Sequence, residues 1–338
     1  MELSTSGGGD VRAYFVVPGK DGGVFELRDT KPPEAQGPMV VVAVQAAGLN
    51  RGELLTLAAF RSDNRDLKPY PAGIEFAGEI VEVGPDATGW HVGERVMGRF
   101  PGAYSERLAV LSSMLYRIPN QLSWAEAAAI PNVFVTAHDA LATAARLRTG
   151  ERVLITAGSS GVGTAAIQLA RFLGASTVMT TTRSAAKAAP LRALGADVVL
   201  ETTDPSWVAQ LPALTDDEGV DVIIDQVGGP MLADNIEALA IQGRLVSVGR
   251  NGGGLGQFDL DRLALKRAHL IGVTFRTRTP QEAFLATEGC FDACLPAFRD
   301  GRLHPVVDRT FPFDELAEAQ TYMLGDEQIG KIVLTALA

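Results

Sequence analysis

The stretch that decides the fold is Arg152-Val-Leu-Ile-Thr-Ala-Gly-Ser-Ser-Gly-Val-Gly-Thr-Ala-Ala-Ile-Gln-Leu-Ala-Arg171. An apolar run that predicts a strand ends at Ala157, and a run with helical periodicity begins near Val162. The glycines that let the backbone turn tightly and approach a phosphate closely are Gly158, Gly161 and Gly163. The free N–H groups and positive dipole end of the following helix favour an anion. This strand–loop–helix predicts a site for the pyrophosphate of a dinucleotide.

The region from residue 132 to residue 276, which contains this stretch, alternates apolar runs with helical stretches. The apolar runs predict strands at Arg152–Ala157, Ser176–Thr182, Asp197–Leu200, Val220–Val227, Gly243–Gly249 and His269–Phe275. The stretches between them predict helices at Val162–Leu173, Ser184–Leu194, Met231–Ala240 and Leu260–Ala268. Strands that are apolar throughout and are separated by helices indicate a parallel sheet covered on both faces. Six such strands are the number in a complete doubly wound, dinucleotide-binding domain.

The end of the second predicted strand indicates which dinucleotide binds. Sites for NAD usually place an Asp or Glu there, which accepts a hydrogen bond from the ribose 2′-OH. This chain has Thr180-Thr-Thr-Arg-Ser-Ala-Ala-Lys187 instead, with no acid. Hydroxyl groups together with Arg183 and Lys187 suit a 2′-phosphate, which needs donors and positive charge. We therefore predict NADPH as the cofactor; the alternative is that these residues form a solvated, basic helix start.

The segments on either side of this region have a different character. Short apolar runs between Gly and Pro turn signals predict a β-rich, irregular barrel-like unit, with strands at Val40–Gln45, Gly78–Val83, Arg95–Met97 and Tyr104–Val110. The elements predicted after Phe275 are a helix, a strand, a helix and a strand, at Gln281–Arg299, Val306–Phe311, Asp314–Leu324 and Lys331–Ala336. These are too few to fold alone. We therefore predict domains at 1–131 and 132–276, with 277–338 returning to the first domain.

Composition narrows the class of protein. The chain has 338 residues, a formal net charge of −10 and an apolar fraction of 46%. The acidity argues against nucleic acid or an anionic membrane as the main partner, because both require a basic surface. There is no secretory signal and no apolar run of about 20 residues, so we expect a cytoplasmic protein. The cysteines, Cys290 and Cys294, are spaced as on one helix face and are expected to be reduced structural thiols.

Motifs along nearly the whole chain resemble those of the medium-chain dehydrogenase/reductase superfamily, and most closely its zinc-free quinone oxidoreductase branch. Besides the glycine loop, they are Ala47-Gly-Leu-Asn-Arg51, Pro71-Ala-Gly-Ile-Glu-Phe-Ala-Gly78, Val83-Gly84, Gly93-Glu-Arg-Val96, Gly102-Ala-Tyr-Ser-Glu106 and Gly330-Lys-Ile-Val-Leu334. The resemblance implies an α/β protein with an N-terminal GroES-like β-barrel domain and a six-stranded Rossmann domain. It also implies a C-terminal segment that returns to the first domain.

The resemblance also allows a prediction of whether the chain binds zinc. Zinc-dependent members carry a Cys where Asn50 stands and a His where Ile74 stands, and an aliphatic side chain cannot ligate Zn²⁺. The four-cysteine lobe of those members is missing, because the chain runs directly from Met97 to Gly102. We therefore expect no metal and no zinc-assisted chemistry.

The resemblance implies a set of cofactor contacts, position by position. The residues expected at the pyrophosphate and the adenosine end are Ser160, Gly161, Val162, Thr182, Arg183, Ser184, Lys187 and Thr202. Those expected where the cofactor crosses the carboxyl ends of the later strands are Gln226, Val227, Val248, Gly249, Arg250, Val273, Thr274 and Phe275. The remaining members of the expected set are Asn50, Thr136 and Lys331.

The group that polarises the substrate oxygen is expected to be Asn50 or Arg51, with Arg276 as a further candidate. An amide can donate a hydrogen bond but cannot act as a general acid, so the final proton is expected from water. The alternative for Arg51 is a structural ion pair. Members of this branch often have a tyrosine shortly after the Asn50 motif, and this chain has Phe60 there. The charged loop that follows, residues 61–68, is either solvated or a lid over the substrate.

The activity implied by the resemblance is NADPH-dependent reduction of a quinone or an α,β-unsaturated carbonyl, with a small-molecule substrate. Two alternatives stay open: an enoyl reductase acting on a carrier-bound thioester, and a cofactor-binding sensor or interaction protein with little catalysis. A homodimer is also expected, because the apolar strand at residues 269–275 would be an exposed sheet edge in a monomer.

Overall fold

The computed structural model describes residues 9–57, residue 60 and residues 67–335. Residues 61–66 of the charged loop at 61–68, which was predicted to be solvated or a lid, lie outside the described residues. The chain divides into two compact units. The first unit contains Met1–Asn132, Arg309–Glu327 and Lys331–Ala338, and the second contains Val133–Asp308 and Gln328–Gly330.

The described residues form strands and helices in the following order along the chain. The strands are β1 (Val11–Val17), β2 (Val24–Thr30), β3 (Met39–Gly48), β4 (Tyr70–Pro71), β5 (Glu75–Val83), β6 (Arg95–Arg99), β7 (Arg107–Leu111), β8 (Leu115–Arg117), β9 (Arg152–Ile155), β10 (Thr177–Thr182), β11 (Val198–Glu201), β12 (Val220–Asp225), β13 (Leu239–Ser247), β14 (His269–Gly272), β15 (Val307–Pro312) and β16 (Lys331–Thr335). The helices are α1 (Arg51–Leu57), α2 (Trp124–Ala128), α3 (Pro131–His138), α4 (Gly161–Phe172), α5 (Ala188–Ala193), α6 (Leu211–Leu214), α7 (Leu232–Ala238), α8 (Leu260–Lys266), α9 (Pro280–Arg299) and α10 (Leu316–Leu324). A π-helical turn follows α3 at Asp139–Ala144, and short 3₁₀ turns lie at Ser112–Met114, Ala185–Lys187, Trp207–Gln210, Gly229–Met231 and Phe313–Glu315.

The first unit is built from β-sheet, as its turn-rich sequence predicts. Its large sheet has the order β15-β16-β3-β5-β6-β8, with β7 also paired to β3, and β2-β1-β4 form a smaller sheet. The returning strand β16 runs antiparallel to β3, with Val333 opposite Gly48. The predicted return of the C-terminal segment to the first unit is therefore confirmed for β16.

The second unit contains a parallel sheet with the order β11-β10-β9-β12-β13-β14. Numbered from β9, this is the order 3-2-1-4-5-6 of a doubly wound dinucleotide domain, so the predicted fold class is confirmed. The strand boundaries differ by a few residues from the predicted ones. The largest difference is at β13, which begins at Leu239 rather than Gly243, because α7 already ends at Ala238.

The structure corrects the predicted boundary between residues 276 and 277. Helix α9 belongs to the second unit, whereas the sequence assigned it to the first. The reason is its buried face, on which Cys290, Cys294 and Phe298 are almost fully covered, the last in edge-to-face contact with Phe134 at 4.8 Å. Both cysteines are free thiols, as predicted. None of the described helices is both long and apolar enough to cross a membrane.

Candidate functional site

The glycine loop joins β9 to α4 in the second unit. Ser160 caps α4, because its hydroxyl accepts a hydrogen bond from the backbone N–H of Gly163 at 3.0 Å. A Cβ on Gly158 would lie 2.0 Å from Thr180 Oγ1, and one on Gly163 would lie 2.5 Å from the Ala157 carbonyl oxygen. Both glycines are therefore required by the packing of the loop, which leads into the N-terminus of α4, the end of a helix that favours an anion.

A buried hydrogen-bond network connects the glycine loop to the ends of the neighbouring strands. The Ser160 hydroxyl donates to Gln226 Oε1 at 2.8 Å, and Gln226 Nε2 donates to the Thr156 carbonyl oxygen at 3.0 Å. Asp225 accepts from Thr156 Oγ1 at 3.0 Å and from two backbone N–H groups at the start of the next loop. Burial raises the pKa of Asp225. The network joins the carboxyl ends of β9 and β12, which are the central strands of the sheet.

The residues predicted for the adenosine phosphate gather at the ends of β10 and β11. The Thr182 carbonyl oxygen accepts from both N and Oγ1 of Thr202, at 2.9 and 3.3 Å. Arg183 is exposed. The Lys187 ammonium donates to the Gln328 carbonyl oxygen at 2.9 Å, and this contact holds it at the edge of the same cluster.

The remaining predicted cofactor residues of the second unit follow the carboxyl ends of the other strands. Gln226 and Val227 come directly after β12, Val248–Arg250 after β13, and Val273–Phe275 after β14. In open α/β sheets, ligands bind at this edge. Thr136 lies on α3 and is half-buried.

Lys331 and Asn50, which the sequence also assigned to the cofactor, lie in a buried cluster of the first unit. We call Asn50, Glu75, Asn132 and Lys331 the polar centre. The Lys331 ammonium donates to Glu75 Oε1 at 2.6 Å, to Asn50 Oδ1 at 2.9 Å and to the Leu49 carbonyl oxygen. Glu75 is fully buried and Lys331 is only 3% exposed. Glu75 Oε2 accepts from the Asn132 backbone N–H at 2.7 Å.

The polar centre uses every hydrogen-bonding position of the Asn50 amide. Asn50 Nδ2 donates to Glu75 Oε1 at 2.9 Å and to the Gly48 carbonyl oxygen at 3.2 Å. Asn50 Oδ1 accepts from Lys331 and, at 2.7 Å, from Asn132 Nδ2. An amide has two donor hydrogens and two acceptor lone pairs, and all four are occupied. In this arrangement Asn50 has no donor left for a substrate oxygen. These contacts do not support its role in polarising that oxygen, and the role stays a prediction.

Arg51, the other predicted polarising group, also has partners within the first unit. Its guanidinium donates to Asp326 Oδ1 and, at 2.6 Å, to the Met323 carbonyl oxygen at the end of α10. This is the structural ion pair that the sequence left as the alternative.

A second buried carboxyl group lies next to the polar centre. Glu53 Oε2 accepts from the Asn50 backbone N–H at 3.0 Å and from the Tyr104 hydroxyl at 2.6 Å. Burial raises the pKa of Glu53 to about 7, although the hydrogen bond from Tyr104 and the charge of Lys331 oppose the rise. Burial, with the charge of Glu53, likewise raises the pKa of Tyr104 above its ordinary value.

Sequence reasoning assigned no role to Glu53, Glu75 or Asn132. For Glu75 a signal was present, since Glu75 and Lys331 each begin a strand and are followed directly by apolar residues. Charged residues are almost never fully buried unless they are paired, so two opposite charges in such strands indicate a buried ion pair. For Asn132 the sequence carries no comparable signal.

The structure also bears on metal binding. Within residues 9–57, 60 and 67–335, no group of three or more His, Cys, Asp or Glu side chains could hold a metal ion. Cys290 and Cys294 lie on α9 of the second unit and burial raises the pKa of Cys290, which disfavours the thiolate that a metal requires.

Each of the two units contains a segment that matches a known protein family. Residues 36–120 match the alcohol dehydrogenase GroES-like domain, and residues 161–287 match the family described as zinc-binding dehydrogenase. The word zinc in that description contrasts with the absence of a metal-binding cluster among the described residues.

Three similar proteins illustrate the range of relatives. Polyketide synthase GfsB of Streptomyces halstedii is 34% identical over 298 residues, which are 88% of this chain but 5% of GfsB, so the chain spans a small part of that relative. A quinone oxidoreductase-like protein 2 homolog of Nematostella vectensis is 29% identical over 87% of this chain and 81% of its own length. The crystal structure of the CurK enoyl reductase superposes with a TM-score of 0.83 and 25% identity, covering 96% of this chain and 99% of that one.

The doubly wound sheet with its glycine loop and the GroES-like unit define an oxidoreductase that binds a nicotinamide cofactor. The chain belongs to the medium-chain dehydrogenase/reductase superfamily, in its quinone oxidoreductase-like branch.

Proposed function

We propose that the chain is an NADPH-dependent reductase that transfers hydride to a quinone or an α,β-unsaturated carbonyl without zinc. The observation that carries the proposal is the cluster at the end of β10. Thr182, Arg183 and Ser184 stand there with no acid among them, next to an intact glycine loop. A 2′-phosphate needs this combination of donors and positive charge, whereas a ribose 2′-OH would need an acceptor.

The bound cofactor supplies the hydride, and a conjugated acceptor is already electrophilic, so no metal is needed. The residues of the chain then have two tasks. The Ser160-capped N-terminus of α4 binds the pyrophosphate, and the ends of β12, β13 and β14 fix the rest of the cofactor. The proposal also includes the other site residues predicted from the sequence: the remaining cofactor contacts, and Asn50 and Arg51 as the candidates for polarising the substrate oxygen. Water delivers the final proton.

The assay that tests this function is NADPH oxidation against a panel of quinones, short enones and enoyl thioesters. We expect turnover with at least one quinone or enone. Tight binding of NADPH without turnover of any acceptor would contradict the reductase and favour the cofactor-binding sensor.

The cofactor preference has its own test. Arg183→Ala should weaken NADPH binding by about tenfold or more, because it removes a charge-assisted hydrogen bond to the 2′-phosphate, and should leave NADH binding unchanged. Arg192→Ala is the matched control, since Arg192 is an exposed arginine on the neighbouring α5. An equal loss of NADH and NADPH affinity in Arg183→Ala would refute the preference for NADPH.

An enoyl-thioester reductase is the second candidate. It is favoured by the polyketide synthase relative and by the CurK enoyl reductase structure. Turnover of enoyl thioesters, with no activity on free quinones or enones, would replace the first candidate with this one.

Zinc independence and the homodimer also belong to the proposal. Incubation with a chelator should leave turnover unchanged, and metal analysis should find no stoichiometric ion. The edge strand β14 carries half-exposed Leu270, and pairing with the same strand of a second copy would cover it. A monomer in sedimentation analysis would refute the dimer.

A further inference from the structure

Arg278 connects two segments of the second unit that follow different elements. It lies in the link between β14 and α9, and its Nη2 donates to Asp139 Oδ2 at 2.7 Å. Asp139 is 1% exposed and begins the π-helical turn that follows α3. Asp139 Oδ1 is also buried and has no hydrogen-bond partner in the described part of the chain. Arg278 is therefore the cation that balances a buried carboxylate.

The same guanidinium holds an aromatic ring. Its carbon atom Cζ lies 4.4 Å from the centre of the Phe275 ring, which is the stacked geometry of a cation–π contact. Phe275 is half-buried and lies three residues beyond the carboxyl end of β14. Arg278 thus fixes the ring from one side, while Asp139 fixes Arg278.

The link itself is firmly anchored at both ends. Val273 N donates to the Ser247 carbonyl oxygen at 3.0 Å, which extends the sheet contact past β14. Thr279 caps α9 in a reciprocal pair of hydrogen bonds with Glu282. Between these anchors, Arg278 ties the link to a third element, the turn after α3. A π-helical turn is a rare feature that is frequent at functional sites.

We propose that Arg278 is a positioning residue for the nicotinamide half of the cofactor. Asp139 orients the guanidinium of Arg278. The guanidinium packs on the Phe275 ring and fixes its position at the edge of the sheet where the dinucleotide lies. This inference rests on the proposed function, because it requires that the cofactor follows the carboxyl ends of β13 and β14.

The test separates the two halves of the cofactor. Arg278→Lys keeps the charge next to Asp139 but loses the planar group that stacks on Phe275. We expect the dissociation constant of NADPH to rise about fivefold, and that of 2′-phospho-ADP-ribose, which lacks the nicotinamide, to stay unchanged. The blue shift of NADPH fluorescence on binding should shrink as well. Equal weakening of both ligands, or of neither, would overturn the proposal.

Two further variants keep the test decisive. The double variant Asp139→Asn with Arg278→Gln removes both charges together, so the protein is not left with an unpaired buried charge. This variant should also bind NADPH more weakly and 2′-phospho-ADP-ribose as tightly as before. Arg302→Lys is the matched control, because Arg302 pairs with Asp300 at 2.7 Å and lies over the Phe172 ring at 5.3 Å, but on an exposed turn. A loss in Arg302→Lys equal to that in Arg278→Lys would overturn the assignment. Failure of the unaltered protein to bind either nicotinamide cofactor would instead refute the proposed function.

Discussion

The free energy of unfolding of the Glu53→Gln variant should exceed that of the unaltered protein by an amount that grows as the pH rises. The pKa of Glu53 is raised from its ordinary value of 4.5 to about 7 by burial. The folded state therefore binds the proton more tightly than the unfolded state does. Below pH 4.5 both states are protonated and the group has no effect. Above that pH the unfolded state ionises first, so stability falls until the folded state also ionises near pH 7.

The size of the effect follows from the same pKa values. One pKa unit corresponds to about 1.4 kcal/mol, so the full cost above pH 7 is about 3 kcal/mol. Between pH 5 and pH 8 the unaltered protein should lose about 2 to 3 kcal/mol that the variant keeps. Gln retains an oxygen that can accept from the Asn50 N–H and the Tyr104 hydroxyl, which are the donors to Glu53 Oε2.

Urea unfolding at several pH values between 5 and 8 measures the effect. Tryptophan fluorescence reports on both units, because Trp90 and Trp124 lie in the first and Trp207 in the second. Glu126→Gln is the control, since Glu126 accepts from the N–H of the cap residue of α2 as Glu53 does for Asn50. Free energies of unfolding that run parallel for the unaltered protein and Glu53→Gln, or that converge as pH rises, would refute the reasoning.

Two other predictions follow from the site. Lys331→Met should lower the free energy of unfolding by about 3 to 5 kcal/mol, because it leaves the buried Glu75 carboxyl group without its cation. Glu75→Gln in the same chain should recover part of the loss. Urea unfolding at neutral pH measures both effects, and a loss under about 1 kcal/mol would contradict the buried ion pair. Gly158→Ala should weaken cofactor binding by at least about tenfold, because the new Cβ would meet Thr180 Oγ1 and displace the loop. Fluorescence titration with NADPH measures this, Thr180→Ala should restore part of the affinity, and unchanged binding in Gly158→Ala would show that the loop has room.

The second unit was largely predictable because its signals are local. The run of Arg152 to Arg171 contains a strand, three glycines and a helix start within one short segment, and the structure confirms each of them. The parallel sheet also follows from the alternation of strands and helices. The position of α9 was not predictable in the same way, because its buried face could pack on either unit, and it is decided by distant contacts such as that of Phe298 with Phe134.

The site of the first unit was predictable only in part, because its meaning depends on contacts between distant segments. The sequence identified Asn50 by its motif and assigned it to catalysis by resemblance. The partners that occupy its amide come from β5, from the start of α3 and from β16, which are 25, 82 and 281 residues away. No pattern near Asn50 shows that these three segments converge.

The saturation of the Asn50 amide changes what a mutation at this position can report. If Asn50 were a free donor, Asn50→Asp would lose a contact to substrate and little else. In the structure, Asp would place a second carboxylate next to Glu75 and would lose both donations from Nδ2, so the change would act first on the polar centre. A loss of activity in that variant would therefore show that the polar centre is needed, and not that Asn50 touches the substrate. The distinction requires the stability of the variant to be measured together with its KM and kcat: an intact fold with an unchanged KM for NADPH and a lowered kcat is the combination that would assign Asn50 to the reaction itself.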